Sequence, residues 1–153
     1  YNFQAAQVRG VEVEGKITPR PWLTAQASYT LLDSRNLKDD ARYYLRELPF
    51  RPRHRVFTQV VVGPEWLKVH GDVLYQSEQF QNRTETLVLP SRLFLNAGAT
   101  ARLWRQPAAH LSLEFKNLLD AQSQDIDGYP LPPRAVYVTL AWEREKKTEE
   151  PKN

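Results

Sequence analysis

Val11-Glu12-Val13-Glu14-Gly15-Lys16-Ile17 alternates between residues that avoid water and residues that carry charge. Successive side chains of a strand point to opposite sides, so a period of two marks an extended segment with one dry face and one wet face. The same period recurs in six further runs. Leu23, Ala25, Ala27, Tyr29 and Leu31 stand against Thr24, Gln26, Ser28 and Thr30; Val56, Thr58, Val60 and Val62 against Arg55, Phe57, Gln59 and Val61. Leu67, Val69, Gly71, Val73 and Tyr75 oppose Lys68, His70, Asp72, Leu74 and Gln76. Leu93, Leu95, Ala97, Ala99, Ala101 and Leu103 oppose Phe94, Asn96, Gly98, Thr100, Arg102 and Trp104. The last two runs set Leu111, Leu113 and Phe115 against Ser112, Glu114 and Lys116, and Val136, Val138, Leu140 and Trp142 against Tyr137, Thr139, Ala141 and Glu143.

The chain therefore reads as seven antiparallel strands with no helix. One face carries no charge. The other carries Glu12, Glu14, Lys16, Arg55, Lys68, His70, Asp72, Arg102, Glu114, Lys116 and Glu143. Alternation alone fits a soluble β-sandwich, whose dry face is internal, and a membrane barrel, whose dry face meets lipid and whose wet face lines the lumen. The connections favour the second. Links at Thr18-Pro19-Arg20-Pro21, Gly63-Pro64-Glu65 and Arg105-Gln106-Pro107-Ala108 are short, whereas those at 36–46, 79–91 and 117–133 are long. Short turns on one rim and long loops on the other are the pattern of an outer-membrane barrel, with the short turns periplasmic. Val136, Val138, Leu140 and Trp142, ending in an aromatic, then read as the barrel-closing strand.

Composition excludes several chemistries. The 153 residues include no Cys, which removes disulfides and thiolate sites, and 3 His (His54, His70 and His110) that are far apart in sequence. No nucleophile motif, glycine-rich phosphate loop or paired-His motif occurs, so neither catalysis, a metal site nor a cofactor is expected. A net charge of +3, scattered along the chain, does not suit nucleic acid. No apolar run approaches the roughly 18 residues of a membrane-spanning helix. The absence of Met and of an apolar leader core points to a processed piece or an excerpt of a longer polypeptide. Seven strands cannot close a membrane barrel, because two open edges would leave backbone groups without partners in lipid. The expected fold is thus an all-β, antiparallel up-and-down transmembrane β-barrel sector over residues 1–142. A charged, disordered periplasmic tail is expected at 143–153.

Five stretches extend this reading. They are Gly10-Val11-Glu12-Val13-Glu14-Gly15, Ala27-Ser28-Tyr29-Thr30-Leu31-Leu32-Asp33, Leu48-Pro49-Phe50-Arg51-Pro52-Arg53-His54, Asn117-Leu118-Leu119-Asp120, and Tyr129-Pro130-Leu131-Pro132-Pro133-Arg134. In this order and spacing they resemble the C-terminal part of a TonB-dependent outer-membrane receptor. The resemblance implies a barrel of roughly 22 strands around an N-terminal plug domain. It also implies import of a scarce ligand such as a ferric siderophore or cobalamin, driven by the TonB energising complex. The implied partners are the remaining barrel strands and plug, outer-membrane lipid and lipopolysaccharide, and a small-molecule ligand. The charged stretch after Trp142 departs from the family, which usually stops at the terminal aromatic.

Ligand contacts are expected on loops held by the rigid scaffold. In the first long loop Arg42, Tyr43, Tyr44 and Arg46 suit an anionic, aromatic ligand, because Arg pairs with carboxylate or phosphate while Tyr stacks and hydrogen-bonds. Gln81, Asn82 and Arg83 are the candidates of the second loop; Gln122, Gln124, Asp125 and Asp127 offer polar groups in the third. Arg51-Pro52-Arg53-His54-Arg55 reads as a rim anchor reaching polar lipid groups. His70 and Asp72 are close enough on one face to bond each other or Lys68. A passive porin or adhesin barrel and a soluble β-sandwich binding module remain the alternatives.

Overall fold

β-branched and aromatic residues at every second position fit a pleated surface, and the strands form where that pattern runs. The computed structural model describes residues 5–105, 108–126 and 128–143. Gln106 and Pro107 of the third short turn, Asp127 of the third loop and the tail from 144 onward lie outside the described residues. The strands are β1 (Ala6–Arg20), β2 (Leu23–Asn36), β3 (His54–Val62), β4 (Leu67–Gln76), β5 (Gln79–Phe80), β6 (Val88–Leu89), β7 (Arg92–Arg105), β8 (Ala108–Lys116), β9 (Gln124–Ile126), β10 (Tyr129–Pro130) and β11 (Ala135–Glu143). Seven of them make one antiparallel up-and-down sheet in the order β1-β2-β3-β4-β7-β8-β11. The sheet is open, with β1 and β11 as its edges. The other four form two small hairpins, β5 with β6 and β9 with β10, inside the second and third long links.

Register decides which side chains share a face, since a slip of one residue would turn a whole strand over. Ile17, Ala25, Val60, Gly71, Ala97, Phe115 and Val136 lie side by side across all seven strands. Beyond the seven alternating runs, Arg9 pairs with Asp33 and Gln7 with Arg35 toward the long-loop rim, and Arg20 with Leu23 at the short-turn rim. Within the runs the pairings preserve the separation of dry and wet residues that the alternation predicts, with one exception. A bulge between Arg102 and Trp104 makes Leu103 the extra residue, so Trp104 comes opposite Ala109, which is itself opposite Trp142. Trp104 therefore belongs to the apolar face, not to the polar one. An extra residue in a strand reverses the facing of every residue beyond it. β1 is irregular too, between Ile17 and Arg20, and this is where an edge strand tolerates Pro19.

The apolar face has no second layer on it among the described residues. Val11 is 58% exposed, Ile17 63% and Val138 69%. A sandwich would bury these positions against a facing sheet, so the sandwich alternative has no support in the fold. Among the described residues, the buried hydrophobic ones are Leu48, Leu89 and Ala109. Leu48 and Leu89 belong to the long links, so dense packing sits at the long-loop rim and not on the wall.

The two rims differ. β1 and β2 are joined by Pro21 and Trp22, β3 and β4 by the four residues 63–66, whereas β2 and β3 are joined by 37–53, longer than the 36–46 read from sequence. Trp22 and Trp66 lie in the short turns, and Trp104 and Trp142 at strand ends on the same rim. All four Trp of the chain thus stand at the short-turn rim, each more than half exposed.

Candidate functional site

The polar face is built by cross-strand rows. Lys16, Gln26, Gln59, Asp72 and Asn96 are adjacent in register. Gln26 donates to Gln59 at 3.0 Å and Asn96 to Asp72 at 2.7 Å. His70 does not turn to Asp72. It crosses Gly98 to Glu114, with Nε2 3.2 Å from Oε2, and Lys116 Nζ approaches the same oxygen at 3.3 Å. Lys68 donates instead to the Gly63 carbonyl at 2.8 Å. Thus Asp72, His70 and Lys68 each take a different partner, in place of the mutual bonding expected from their spacing.

Gly98 makes the His70–Glu114 pair possible. A Cβ there would lie 2.6 Å from His70 Cε1 and 2.7 Å from the Glu114 carboxylate. Gly98→Ala is expected to lower stability by about 1–3 kcal/mol, the usual cost of forcing an extra carbon into a filled site. Denaturation of the detergent-solubilised protein measures it. In a His70→Ala background the same change should cost much less, and an equal cost in both backgrounds would refute this account.

Toward the long-loop rim, another row runs Glu12, Thr30, Arg55, Gln76 and Arg92. Phe50, Arg51 and Pro52, from the returning arm of the first long link, and Asp125 of the third roof this row. Together they enclose a hollow of about 610 Å³ on the polar face. Arg92 is held in place: its Nε donates to Gln76 Oε1 at 2.6 Å, and its Nη1 makes a short ion pair with Asp125 Oδ1. Among the described residues Arg51 and Arg55 have no ion-pair partner. Both line the hollow, so their guanidinium groups are not the lipid-facing rim anchors expected from sequence. His54 of that cluster turns to the apolar face, where Nδ1 lies 2.9 Å from the Tyr29 hydroxyl and the two rings stack.

The register places Glu12, Glu14, Lys16, Lys68, His70, Asp72, Arg102, Glu114 and Lys116 on this polar face. Glu12 lines the hollow, while Glu14 and Lys16 line a smaller one of about 430 Å³. The loop candidates are not gathered there. Arg42 pairs with Asp40 at 3.4 Å and lies over the Tyr43 ring, 5.5 Å from its centre. The Arg42 backbone N–H, donating to Asp40 Oδ1 at 3.1 Å, does most to hold that carboxyl below the ordinary carboxylate range; in return, the side-chain hydrogen bond raises Arg42. Tyr44 is exposed. Arg46 pairs with Glu85 of the second link at 2.7 Å. Asn82 is absorbed in its own loop, donating to Thr86 Oγ1 and accepting the N–H groups of Thr86 and Leu87. Arg83 sits in the turn that Asn82 closes. Gln81 borders a third hollow of about 330 Å³ shared with Gln122 and Gln124.

Sequence reasoning missed Arg92, Gln76 and Asp125 as a linked group. Extending the fifth run back by one residue would have put Arg92 on the polar face. Asp125 offered no such signal, because loop paths do not follow a period.

No protein-family profile matches the chain, and no curated protein does either. Solved structures do match. The ferric preacinetobactin receptor BauA from Acinetobacter baumannii is 19% identical, with a TM-score of 0.78 over 90% of this chain and 22% of the receptor. The ferric citrate transporter FecA, in its unliganded form, is 19% identical with a TM-score of 0.80 over 88% and 24%. The ferric yersiniabactin uptake receptor FyuA from Yersinia pestis is 19% identical with a TM-score of 0.71 over 88% and 22%. The chain thus spans between a fifth and a quarter of the length of these receptors. Its open seven-stranded sheet has the fold of part of the barrel wall of TonB-dependent outer-membrane siderophore and metal receptors.

Proposed function

We propose that this chain is the C-terminal wall-and-loop sector of an outer-membrane receptor that imports a scarce ligand, such as a ferric siderophore or cobalamin. The observation that carries the reading is the uncovered apolar face, kept free of charge over the seven alternating runs that the register aligns. Burying one such Val or Leu side chain is worth about 1.5–3 kcal/mol, and lipid is the cover that fits a single-layered sheet. On this reading the polar face lines the lumen opposite a plug domain, and the Trp rim marks the periplasmic interface. The edges β1 and β11 pair with the remaining barrel strands. Lipopolysaccharide meets the outer face near the long loops, and the TonB energising complex acts through the plug. The role is structural and ligand-contacting, with no catalytic step.

The hollow beneath the long loops is the place for ligand contact, ahead of Arg42, Tyr43 and Tyr44 in the first long loop. Arg51 and Arg55 offer guanidinium groups to an anionic ligand, which Arg binds bidentately. The test begins with the intact mass of the native polypeptide in the outer-membrane fraction, expected several-fold above 17.8 kDa. That polypeptide is then assayed for binding and energised uptake of ferric citrate, a ferric catecholate and cobalamin. Arg51→Ala with Arg55→Ala should weaken binding of an anionic probe by about 10- to 100-fold, since a hydrogen bond to a charged group contributes roughly 1.5–3 kcal/mol. Uptake unaffected by collapse of the energy supply would favour the passive barrel, and recovery in the soluble fraction would end the membrane reading.

A further inference from the structure

Three residues other than glycine take up left-handed backbone where the first two long links meet: Leu45 at φ 60°, Phe50 at 58° and Glu85 at 58°. Bulky side chains disfavour this region, and such residues persist only where surrounding contacts hold them. On one side the arm is bonded to the end of β2, through Asn36 with Leu45 and Arg46, Ser34 with Leu48, and Arg35 with Glu47. On the other side, one carboxylate of the second link ties it down. Glu85 Oε1 accepts the Glu47 backbone N–H at 2.7 Å, while Oε2 pairs with Arg46 Nη1 at 2.7 Å. Beside it the Phe50 N–H donates to the Phe80 carbonyl at 2.8 Å. The segment held this way, from Arg46 to Phe50, runs directly into Arg51 at the hollow. Glu85 itself does not line that hollow.

We propose that Glu85 is a positioning residue: its carboxylate clamps the returning arm of the first link in a strained path, and that path presents Arg51 to the hollow. Strain without the clamp would let Leu45 and Phe50 relax and carry Arg51 away. The inference rests on the ligand-binding role proposed for the hollow, but the clamp can be tested apart from it.

The experiment uses the complete receptor in outer-membrane vesicles. Hydrogen exchange of the Glu47 and Phe50 amides should speed up in Glu85→Ala, at unchanged receptor level. Affinity for ferric citrate, or for the ferric catecholate if that is the probe bound, should fall about tenfold, as it would if only a tenth of the molecules kept the competent arrangement. Adding Leu45→Gly should recover much of that affinity, because glycine adopts the same backbone without penalty. A direct ligand contact by Glu85 would show no such rescue. Unchanged exchange overturns the clamp. Faster exchange with unchanged affinity, while Arg51→Ala and Arg55→Ala abolish binding, overturns its role in presenting Arg51. If those arginine variants also bind normally, the hollow is not the ligand site, and the exchange result alone judges the clamp.

Discussion

Gly63→Ala will leave little folded protein in the outer-membrane fraction. Gly63 adopts φ 121°, a backbone open essentially to glycine alone, and an added Cβ would lie 2.2 Å from the Leu67 carbonyl oxygen. Both partners are main chain, so nothing flexible can give way. The residue also ties two turns together: its N–H donates to the Trp22 carbonyl at 2.9 Å, and its own carbonyl accepts from Lys68 Nζ. Backbone strain of this kind costs roughly 1–3 kcal/mol before the clash is added, a large part of an ordinary domain's margin. Heat-modifiable mobility on gels, which separates folded from unfolded barrels, reads the outcome. Gly15→Ala is the control, since a Cβ there would meet nothing within 4 Å. Equal folded fractions in the two variants would refute the argument.

Asn117→Ala should be the most damaging change at the opposite rim. Asn117 is 4% exposed and left-handed at φ 53°. Its Nδ2 donates to the carbonyls of Ala121 and Pro132, at 3.1 and 3.2 Å, and its Oδ1 accepts the Ala121 N–H at 2.9 Å. These bonds close the base of the third long link and bring its far end back toward β11. Alanine would leave buried groups without partners, at about 1–3 kcal/mol each, in a backbone that asparagine tolerates better than most residues. The expected loss is about 3 kcal/mol or more in denaturation of the solubilised protein, with protease sensitivity rising first between 117 and 134. Asp120 supports the same closure by accepting the Arg134 N–H at 2.9 Å. A variant that matched the parent in both stability and cleavage would show that Asn117 is not needed there.

The wall was legible in the sequence because its physics is periodic. Alternation named the strands, and the observed register keeps Ile17, Val60 and Val136 on one face as that alternation requires. Trp104 was misplaced because a bulge leaves no mark in composition: one extra residue at Leu103 reversed its facing. The hairpins of Gln79–Phe80 with Val88–Leu89, and of Gln124–Ile126 with Tyr129–Pro130, are too short to show a period. The site was harder to read for the same reason. Arg42 and Tyr43 have the composition of a ligand contact, and Arg42 lies beside Asp40 and over the Tyr43 ring. Arg51 and Arg55 line the hollow, Arg51 from the arm that follows the left-handed turn at Phe50 and Arg55 from β3. Asn117 and Asp120 came to notice through a family resemblance, and their hydrogen bonds give that motif a structural cause.

The Trp rim and the tyrosines facing it define a hydrophobic thickness. Trp66, in the turn before β4, and Tyr75, near its far end, are nine positions apart, roughly 30 Å at about 3.3 Å per residue. Inclined by about 40°, as such walls are, that becomes roughly 23 Å along the bilayer normal, close to the apolar band of about 25 Å in outer-membrane barrels. A bilayer several ångströms thicker would have to thin around the protein or draw Trp66 and Tyr75 into hydrocarbon. Mismatch of this kind costs fractions of a kcal/mol per ångström, repeated around the whole circumference. The spacing of two aromatic residues thus suits this wall to a thin membrane and makes a thick one the less favourable host.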